Sequence, residues 1–147
     1  MLLELFLCFI ATAAFGIIFN VPFRLVWVGG FIGVLTWFLY RILPEFDIPL
    51  AFATGAAAFS AAFISHWLAR FQRVPVTTFT IPGIIPLVPG GKAYATMLAF
   101  VDEDYITGLE QGVGTLLQAG AIAAGLVFAL SVFSIGRGVG QRYETNR

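Results

Sequence analysis

The stretch Thr80-Ile-Pro-Gly-Ile-Ile-Pro-Leu-Val-Pro-Gly-Gly-Lys-Ala-Tyr-Ala-Thr-Met97 decides how this chain folds, because it is apolar enough for a bilayer yet cannot form one unbroken helix. A proline inside a helix removes an amide donor and costs about 3 kcal/mol. The three prolines would leave three carbonyl groups without helical partners, those of Thr78, Pro82 and Ile85. The sequence therefore predicts two half-helices, one over about Val76 to Ile81 and one beginning near Pro89 or Gly90.

A break in this segment would leave free amide groups at the start of the second half-helix. Unpaired backbone at membrane depth persists only where protein or a water-filled cavity satisfies it, so a broken span usually borders a path for a polar solute. The N–H groups of Gly90, Gly91 and Lys92 would carry partial positive charge, to which the Lys92 ammonium adds. We therefore predict a carboxylate-binding position here. A proline-kinked structural helix, with Lys92 reaching an interface, is the alternative.

The composition is that of an integral membrane protein. Of the 147 residues, 59% are hydrophobic and 11% are charged, whereas charged residues make up about a quarter of a typical soluble domain. The net charge is zero and no basic run occurs, so nucleic acid is not an expected partner. With one cysteine, Cys8, and one histidine, His66, we expect no intramolecular disulfide, no metal, no cofactor and no enzyme activity.

Hydrophobic runs predict an all-α bundle of five transmembrane helices that forms a single domain over residues 1–147. Each run can cross about 30 Å of hydrocarbon. The predicted spans are residues 2–19, 25–43, 50–69, 76–101 and 113–135, and the fourth is the broken one. Small residues dominate the third and fifth spans, which favours burial among other helices. Gly29 and Gly33 predict a close helix contact on the second span.

Polar residues between and within the spans suggest further roles. The segment Phe19-Asn-Val-Pro-Phe-Arg24 predicts a hairpin corner, in which Asn20, Pro22 and Arg24 are structural. Gln118 is the strongly polar residue inside the fifth span, and it either hydrogen-bonds across helices or lines a cavity. We interpret His66 as an interfacial histidine, with a proton relay as the alternative. The acidic loop 102–104 is interpreted as solvated rather than as a cation site.

The distribution of arginines predicts the orientation. Arginines follow the first, third and fifth spans, at positions 24, 70, 73, 137, 142 and 147, whereas the opposite side holds mainly Arg41. The positive-inside rule then places the N-terminus outside and the C-terminus, a short polar tail from Gly136, in the cytoplasm. A five-span partner with a cytoplasmic N-terminus would have the opposite orientation, as in inverted-repeat transporters.

Two segments carry a resemblance to a known family. Phe19-Asn-Val-Pro-Phe-Arg24 and Ile85-Pro-Leu-Val-Pro-Gly-Gly-Lys-Ala-Tyr94, with Met97 beyond, resemble the small five-span membrane subunit of the threonine/serine exporter (ThrE-type) family. The resemblance implies that Pro86, Pro89, Gly90 and Tyr94 form the broken-span element. It also implies a larger membrane subunit as partner, and a proton gradient as driving force. Lys92 departs from the small or polar residue of relatives, which favours the backbone N–H groups as the substrate anchor.

The leading hypothesis is a subunit of a secondary-active exporter in the bacterial plasma (inner) membrane, which moves threonine, serine or a dicarboxylate such as succinate by alternating access. The candidate substrate-binding residues are Pro86, Pro89, Gly90, Gly91, Lys92, Tyr94 and Gln118. The chain has no phosphate-binding Gly-x-x-x-x-Gly-Lys-Ser/Thr motif, which argues against a built-in ATPase. A passive anion channel and a non-transporting scaffold subunit are the alternatives.

Overall fold

The computed structural model is all-helical, and it describes the backbone of residues 1–141 and the side chains of residues 1–134. Two 3₁₀ turns, Leu43–Phe46 and Ile85–Leu87, interrupt the α-helices. The α-helices of the described part are α1 (Leu2–Ile18), α2 (Phe23–Ile42), α3 (Leu50–Gln72), α4 (Thr77–Ile84), α5 (Gly90–Val101) and α6 (Tyr105–Gln141). The predicted all-α fold class is confirmed.

Three of these helices are long and apolar enough to cross a membrane: α2 with its 3₁₀ extension, α3, and α6 over Tyr105–Ser134. The segments Thr77–Leu87 and Gly90–Val101 pass the same test only as a pair, and they are bent by 46° at the break between them. Helix α1 is apolar but 17 residues long. Five spans in one domain, a fourth span broken within the bilayer, and the orientation of the termini therefore stay predictions.

The corner after α1, the end of α3 and the start of α4 lie at the same end of the bundle. Val21, Ala69 and Phe79 belong to one buried cluster there. At the opposite end, Arg41 Nε lies 3.5 Å from Glu4 Oε2. Residues 24, 70 and 73 thus belong to one end, the grouping on which the predicted orientation depends.

Helix α6 extends further than its sequence predicts. It continues to Gln141, so the predicted polar tail from Gly136 is helical over residues 136–141. Residues 142–147, with two of the arginines used in the orientation argument, lie outside the described residues.

Helix α3 packs closely against α6, as its small side chains predict. Five of its alanines are at most 1% exposed, those at positions 53, 57, 58, 61 and 62. A Cβ added to Gly125 of α6 would collide with the Gly55 carbonyl oxygen and lie 3.0 Å from the Phe59 amide nitrogen. The two helices are therefore in backbone contact, because neither position carries a side chain that would hold them apart.

The close contact predicted for α2 uses a different pair of glycines. A Cβ on Gly33 would collide with Thr12 of α1, and one on Gly30 would lie 2.6 Å from Phe9. Gly29 has no atom within 4 Å of the corresponding position. The prediction is wrong for Gly29, because the face turned toward α1 carries residues 30 and 33, which are three apart and share one side of a helix.

Candidate functional site

The break between α4 and α5 is shorter than the proline positions predict, and a 3₁₀ turn fills most of it. Helix α4 continues through Pro82 to Ile84, so the predicted end at Ile81 is wrong. The Ile85 N–H donates to the Pro82 carbonyl, and the Val88 N–H donates to the Ile85 carbonyl at 3.1 Å. A 3₁₀ turn pairs each of these carbonyls with the amide three residues on, so both are satisfied without the helical partners that the prolines remove.

Two free amides remain at the start of α5. The Gly90 N–H donates to the Val88 carbonyl at 2.8 Å, and the Ala93 N–H donates to the Pro89 carbonyl at 3.0 Å. Among the described residues, the amides of Gly91 and Lys92 have no hydrogen-bond acceptor. The prediction of three free N–H groups is therefore wrong for Gly90, whose amide is used in the turn, and holds for the other two.

The break lies where the chain leaves the packed bundle. Leu87 is 1% exposed and packs in a cluster with Ala57 and Ile122, against which Leu39 and Tyr40 also lie. Three residues later, Gly90 and the following Gly91 are exposed. Because α2 ends at residue 42, the break is nearer to the end of that helix than to its middle.

Gln118 of α6 joins the site from across the bundle. Its side chain is 5% exposed, and its Nε2 donates to the Leu87 carbonyl at 3.5 Å. A carbonyl only accepts hydrogen bonds, so the atom facing it must be the amide nitrogen, which fixes the position of the oxygen. Of the two predicted roles, the structure contains the cross-helix bond. The buried Oε1 has no partner in the described part of the chain, so it is an unused acceptor beside the break.

The other candidate residues on this segment are distributed along the exposed side of the break. Pro86, Pro89 and Lys92 are half-buried. Tyr94 is 70% exposed, so it does not share a buried pocket with Gln118 in this chain. Helix α5 packs on the first turns of α6, where Gly112 accommodates Thr96 and Gly108 accommodates Phe100. The polar groups at the break are thus two free amide donors at the start of α5 and one buried acceptor on Gln118.

The corner lies at the other end of α4. Asn20 adopts a left-handed conformation with φ of 56°, and Pro22 precedes the first residue of α2. Both residues line a cavity of about 180 Å³ together with Thr77 and Thr78, while Arg24 is exposed. The structure therefore does not bring the corner and the break together. Sequence reasoning missed the two threonines, because their position beside the corner depends on tertiary packing and has no local signal.

The remaining polar groups are explained by local packing. The His66 ring is 8% exposed, its Nδ1 lies 3.0 Å from the Ala62 carbonyl, and it stacks on Phe133 with centroids 4.7 Å apart. The Asp104 carboxylate accepts a hydrogen bond from the Thr107 N–H at 3.2 Å. Hydrogen bonds from the side chain and the backbone of Thr107 lower the pKa of Asp104. Asp104 thus caps the start of α6.

Comparison with known proteins completes the description. The family model described as the threonine/serine exporter ThrE matches residues 4–132. An uncharacterised protein of Haemophilus influenzae is 24% identical over 136 residues, which are 90% of this chain and 46% of the relative. The chain therefore spans about half the length of this curated relative. No solved structure matches. Because the family match extends over most of its length, the chain belongs to the threonine/serine exporter family.

Proposed function

We propose that this chain is a subunit of a secondary-active exporter that moves small carboxylate metabolites of the threonine and serine type across the bacterial plasma membrane. Membership of the exporter family supports the class of activity. The observation that carries the proposal is the pair of free amides at Gly91 and Lys92, four and five residues from the Leu87 carbonyl to which the buried Gln118 is bonded. These groups supply donors for a carboxylate and an acceptor for a second substrate group.

The helix terminus alone would bind a carboxylate weakly. Interaction of an anion with a helix N-terminus contributes about 0.3–1 kcal/mol when exposed and up to about 2 kcal/mol when partly buried. A dissociation constant of about 1 mM already requires about 4 kcal/mol. Further contacts must therefore add to the two amides, and weak binding at this position is compatible with release on the other side of the membrane.

The unused acceptor on Gln118 favours an amino acid over a dicarboxylate. Its Oε1 is buried and can only accept a hydrogen bond. The ammonium or hydroxyl group of threonine or serine offers a donor, whereas a second carboxylate offers none and would be repelled by the oxygen. A dicarboxylate such as succinate is accordingly the less favoured substrate.

The exporter would act as a hetero-oligomer in the lipid bilayer of the inner membrane. A larger membrane subunit of the same family would supply the second half of an alternating-access machine, with a proton gradient as the driving force. The match to only part of a longer relative supports such an arrangement. In this proposal, the close α3–α6 contact supports the break and takes no part in binding the substrate.

Reconstitution tests the proposed activity. The chain and its co-purified partner are placed in vesicles, and counterflow of threonine, serine and succinate is measured with and without a proton gradient. We expect saturable flux of threonine and serine that stops when the gradient is collapsed. Flux that neither saturates nor depends on the gradient would identify a channel, and transport by the partner alone would identify a scaffold role for this chain.

Two variants locate the site within the active complex. Replacement of Pro89-Gly90 by Ala-Ala should lower threonine counterflow at least tenfold, because it allows the break to become helical. Lys92→Gln should keep most of the flux, because the backbone amides remain. Both variants are compared at equal amounts of folded protein, judged by thermal unfolding in detergent. Unchanged counterflow in both variants would refute a site at the break.

A further inference from the structure

One side of α5 is uncovered in this chain. Gly90, Tyr94, Met97 and Val101 are spaced by four, three and four residues and so share one side of a helix. The side chains at 94 and 97 are 70% exposed, and the one at 101 is 77% exposed. Added Cβ atoms on Gly90 or Gly91 would meet nothing within 4 Å. We call Gly90, Gly91, Tyr94, Met97 and Val101 the outer face of α5.

The outer face combines apolar side chains with unpaired backbone. Within hydrocarbon, the free N–H groups of Gly91 and Lys92 would have no acceptor, and lipid-exposed backbone of this kind does not occur in membrane proteins. In water, the side chains of Tyr94, Met97 and Val101 would form an uncovered apolar stripe. A second polypeptide that packs on the apolar side chains would cover the stripe and enclose the two amides in a protein-lined cavity, where water or a substrate can accept their hydrogen bonds.

An independent observation concerns the chain just before this face. Gln118 is 5% exposed, and its Oε1 accepts no hydrogen bond from the described residues. Its Nε2 is bonded to the carbonyl of Leu87, three residues before Gly90. Buried polar atoms without partners are rare in folded proteins, so the break is incomplete without a donor that the described residues do not supply.

The length of the curated relative indicates what covers the face. More than half of the Haemophilus influenzae protein lies outside the segment that matches this chain, since the match covers 46% of it. In that relative, the counterpart of this chain is covalently joined to a further polypeptide of similar size.

We propose that the outer face of α5 is the docking surface for a membrane-embedded polypeptide of the kind that forms the rest of that relative, whether it is joined to this chain or separate. The inference rests on the proposed function. The substrate cavity closes between the two polypeptides, with the amides of Gly91 and Lys92 on one wall. The glycines at 90 and 91 let the partner's backbone approach closely, and Met97 and Val101 form the apolar part of the contact.

Photo-crosslinking from defined positions tests the docking surface. A benzophenone amino acid is placed at position 97 or 101 in cells, and at Ile17 of α1 or Trp67 of α3 as controls, which are 50% and 58% exposed on other helices. Mass spectrometry identifies the adducts. We expect positions 97 and 101 to attach to a polypeptide whose sequence is similar to the unmatched part of the relative, with at least fivefold less adduct at the controls. Adducts with lipid alone, with a second copy of this chain alone, or equally at all four positions would overturn the proposal.

A pair of glycine variants separates this proposal from the proposed transport activity. Gly90→Leu and Gly120→Leu both add a side chain where the chain itself leaves open space, so both should fold with unchanged thermal unfolding. Gly90→Leu should lower the recovery of the crosslinked partner at least tenfold, and Gly120→Leu should leave it unchanged. Full recovery with Gly90→Leu refutes the docking surface whatever the complex transports. A complex that forms as expected but carries no carboxylate refutes the transport proposal and leaves the docking surface intact.

Discussion

Helices α3 and α5 are both apolar and both pack on α6, yet they differ completely in burial. Nine residues of α3 are buried, including Ala57 and Ala61. None of the residues of α5 is buried within the part of the chain that the structure describes. Along α3, small residues let backbones meet, as Gly55 and Gly125 do. Along α5, large side chains such as Tyr94 and Met97 extend away from the bundle.

The different burial of α3 and α5 indicates that hydrophobicity does not determine which helix forms the core of this chain. Lipid accepts apolar side chains as readily as protein does, so helix association depends on close packing and on paired polar groups. Helix α3 meets both conditions inside the chain. The outer face of α5 meets neither, since the amides of Gly91 and Lys92 are unpaired in the described part of the chain and the side chains of Tyr94, Met97 and Val101 are exposed. We conclude that α3 stabilises the fold, whereas the proposed function assigns the contacts with substrate and partner to α5.

The largest expected loss of stability comes from disrupting the backbone contact between α3 and α6. Gly125→Ala places a Cβ against the Gly55 carbonyl and the Phe59 amide, and rigid backbone cannot move aside as a side chain can. Overpacking of this kind costs about 1–3 kcal/mol, and we expect the upper end. The measurement is thermal unfolding of the purified protein in detergent.

Gly120→Ala is the matched control on the same helix. Nothing lies within 4 Å of the added methyl group there, and alanine is more favourable than glycine in a helix by about 0.8–1 kcal/mol. This variant should unfold at the same or a higher temperature. Equal unfolding temperatures for the two variants would contradict the backbone contact between α3 and α6.

A smaller change in stability is expected at Gln118, which connects α6 to the segment just before α5. Gln118→Leu removes the buried acceptor Oε1 and the bond to the Leu87 carbonyl. The loss of one bond and the removal of one unsatisfied atom offset each other, so stability should change by less than about 1 kcal/mol. Threonine counterflow should fall about tenfold. Gln111→Leu, one heptad earlier on α6, should keep its counterflow, and equal loss in both variants would remove Gln118 from the site.

The smallest effect concerns the cap at the start of α6. The lowered pKa of Asp104 means that its carboxylate stabilises the cap above the unfolded-state pKa of about 3.9, and that this contribution is lost as pH falls through the lower folded-state pKa. Asp104→Ala should therefore speed amide exchange at Thr107 at neutral pH, after correction for intrinsic rates. In the unaltered protein the protection should be constant from pH 7 to about 4 and decrease only as pH falls further, through the lowered folded-state pKa of Asp104. Asp102→Ala should have no effect, and protection that increases on acidification would contradict this assignment.

The sequence was sufficient for the fold class and for the position of the break. Hydropathy located the helices, and the prolines at 82, 86 and 89 located the interruption. The hydrogen bonds inside the break were not predictable, because proline spacing cannot distinguish an open break from a 3₁₀ turn that pairs Pro82 and Ile85. The sequence indicated Gly29 and Gly33 as the contact face of α2, whereas Gly30 and Gly33 are the residues that lie closely against α1. A glycine pattern alone does not indicate which neighbouring helix a given face contacts.

The exposure of α5 was also beyond the sequence. Its residues have the same apolar character as those of a buried helix, and only the path of α6 determines what lies beside them. Gln118 was recognised as an unusual polar residue, but its bond to Leu87 depends on a contact between residues 31 apart. Such a contact follows from tertiary packing and has no local signal.

The amide of Gly91 at the start of α5 gives the sharpest test of the proposed carboxylate site. Gly91→Pro removes the free N–H without removing a hydrogen bond of the chain, and proline is tolerated in the first turn of a helix. Gly91→Ala adds a side chain into the same open space and keeps the N–H. The measurement is threonine counterflow in vesicles that contain the chain and its partner, at equal amounts of folded protein. We expect near-normal flux for Gly91→Ala and a loss of about tenfold, or about 1.4 kcal/mol, for Gly91→Pro. Equal flux in the two variants would contradict the claim that the bare amides of α5 hold the substrate carboxylate.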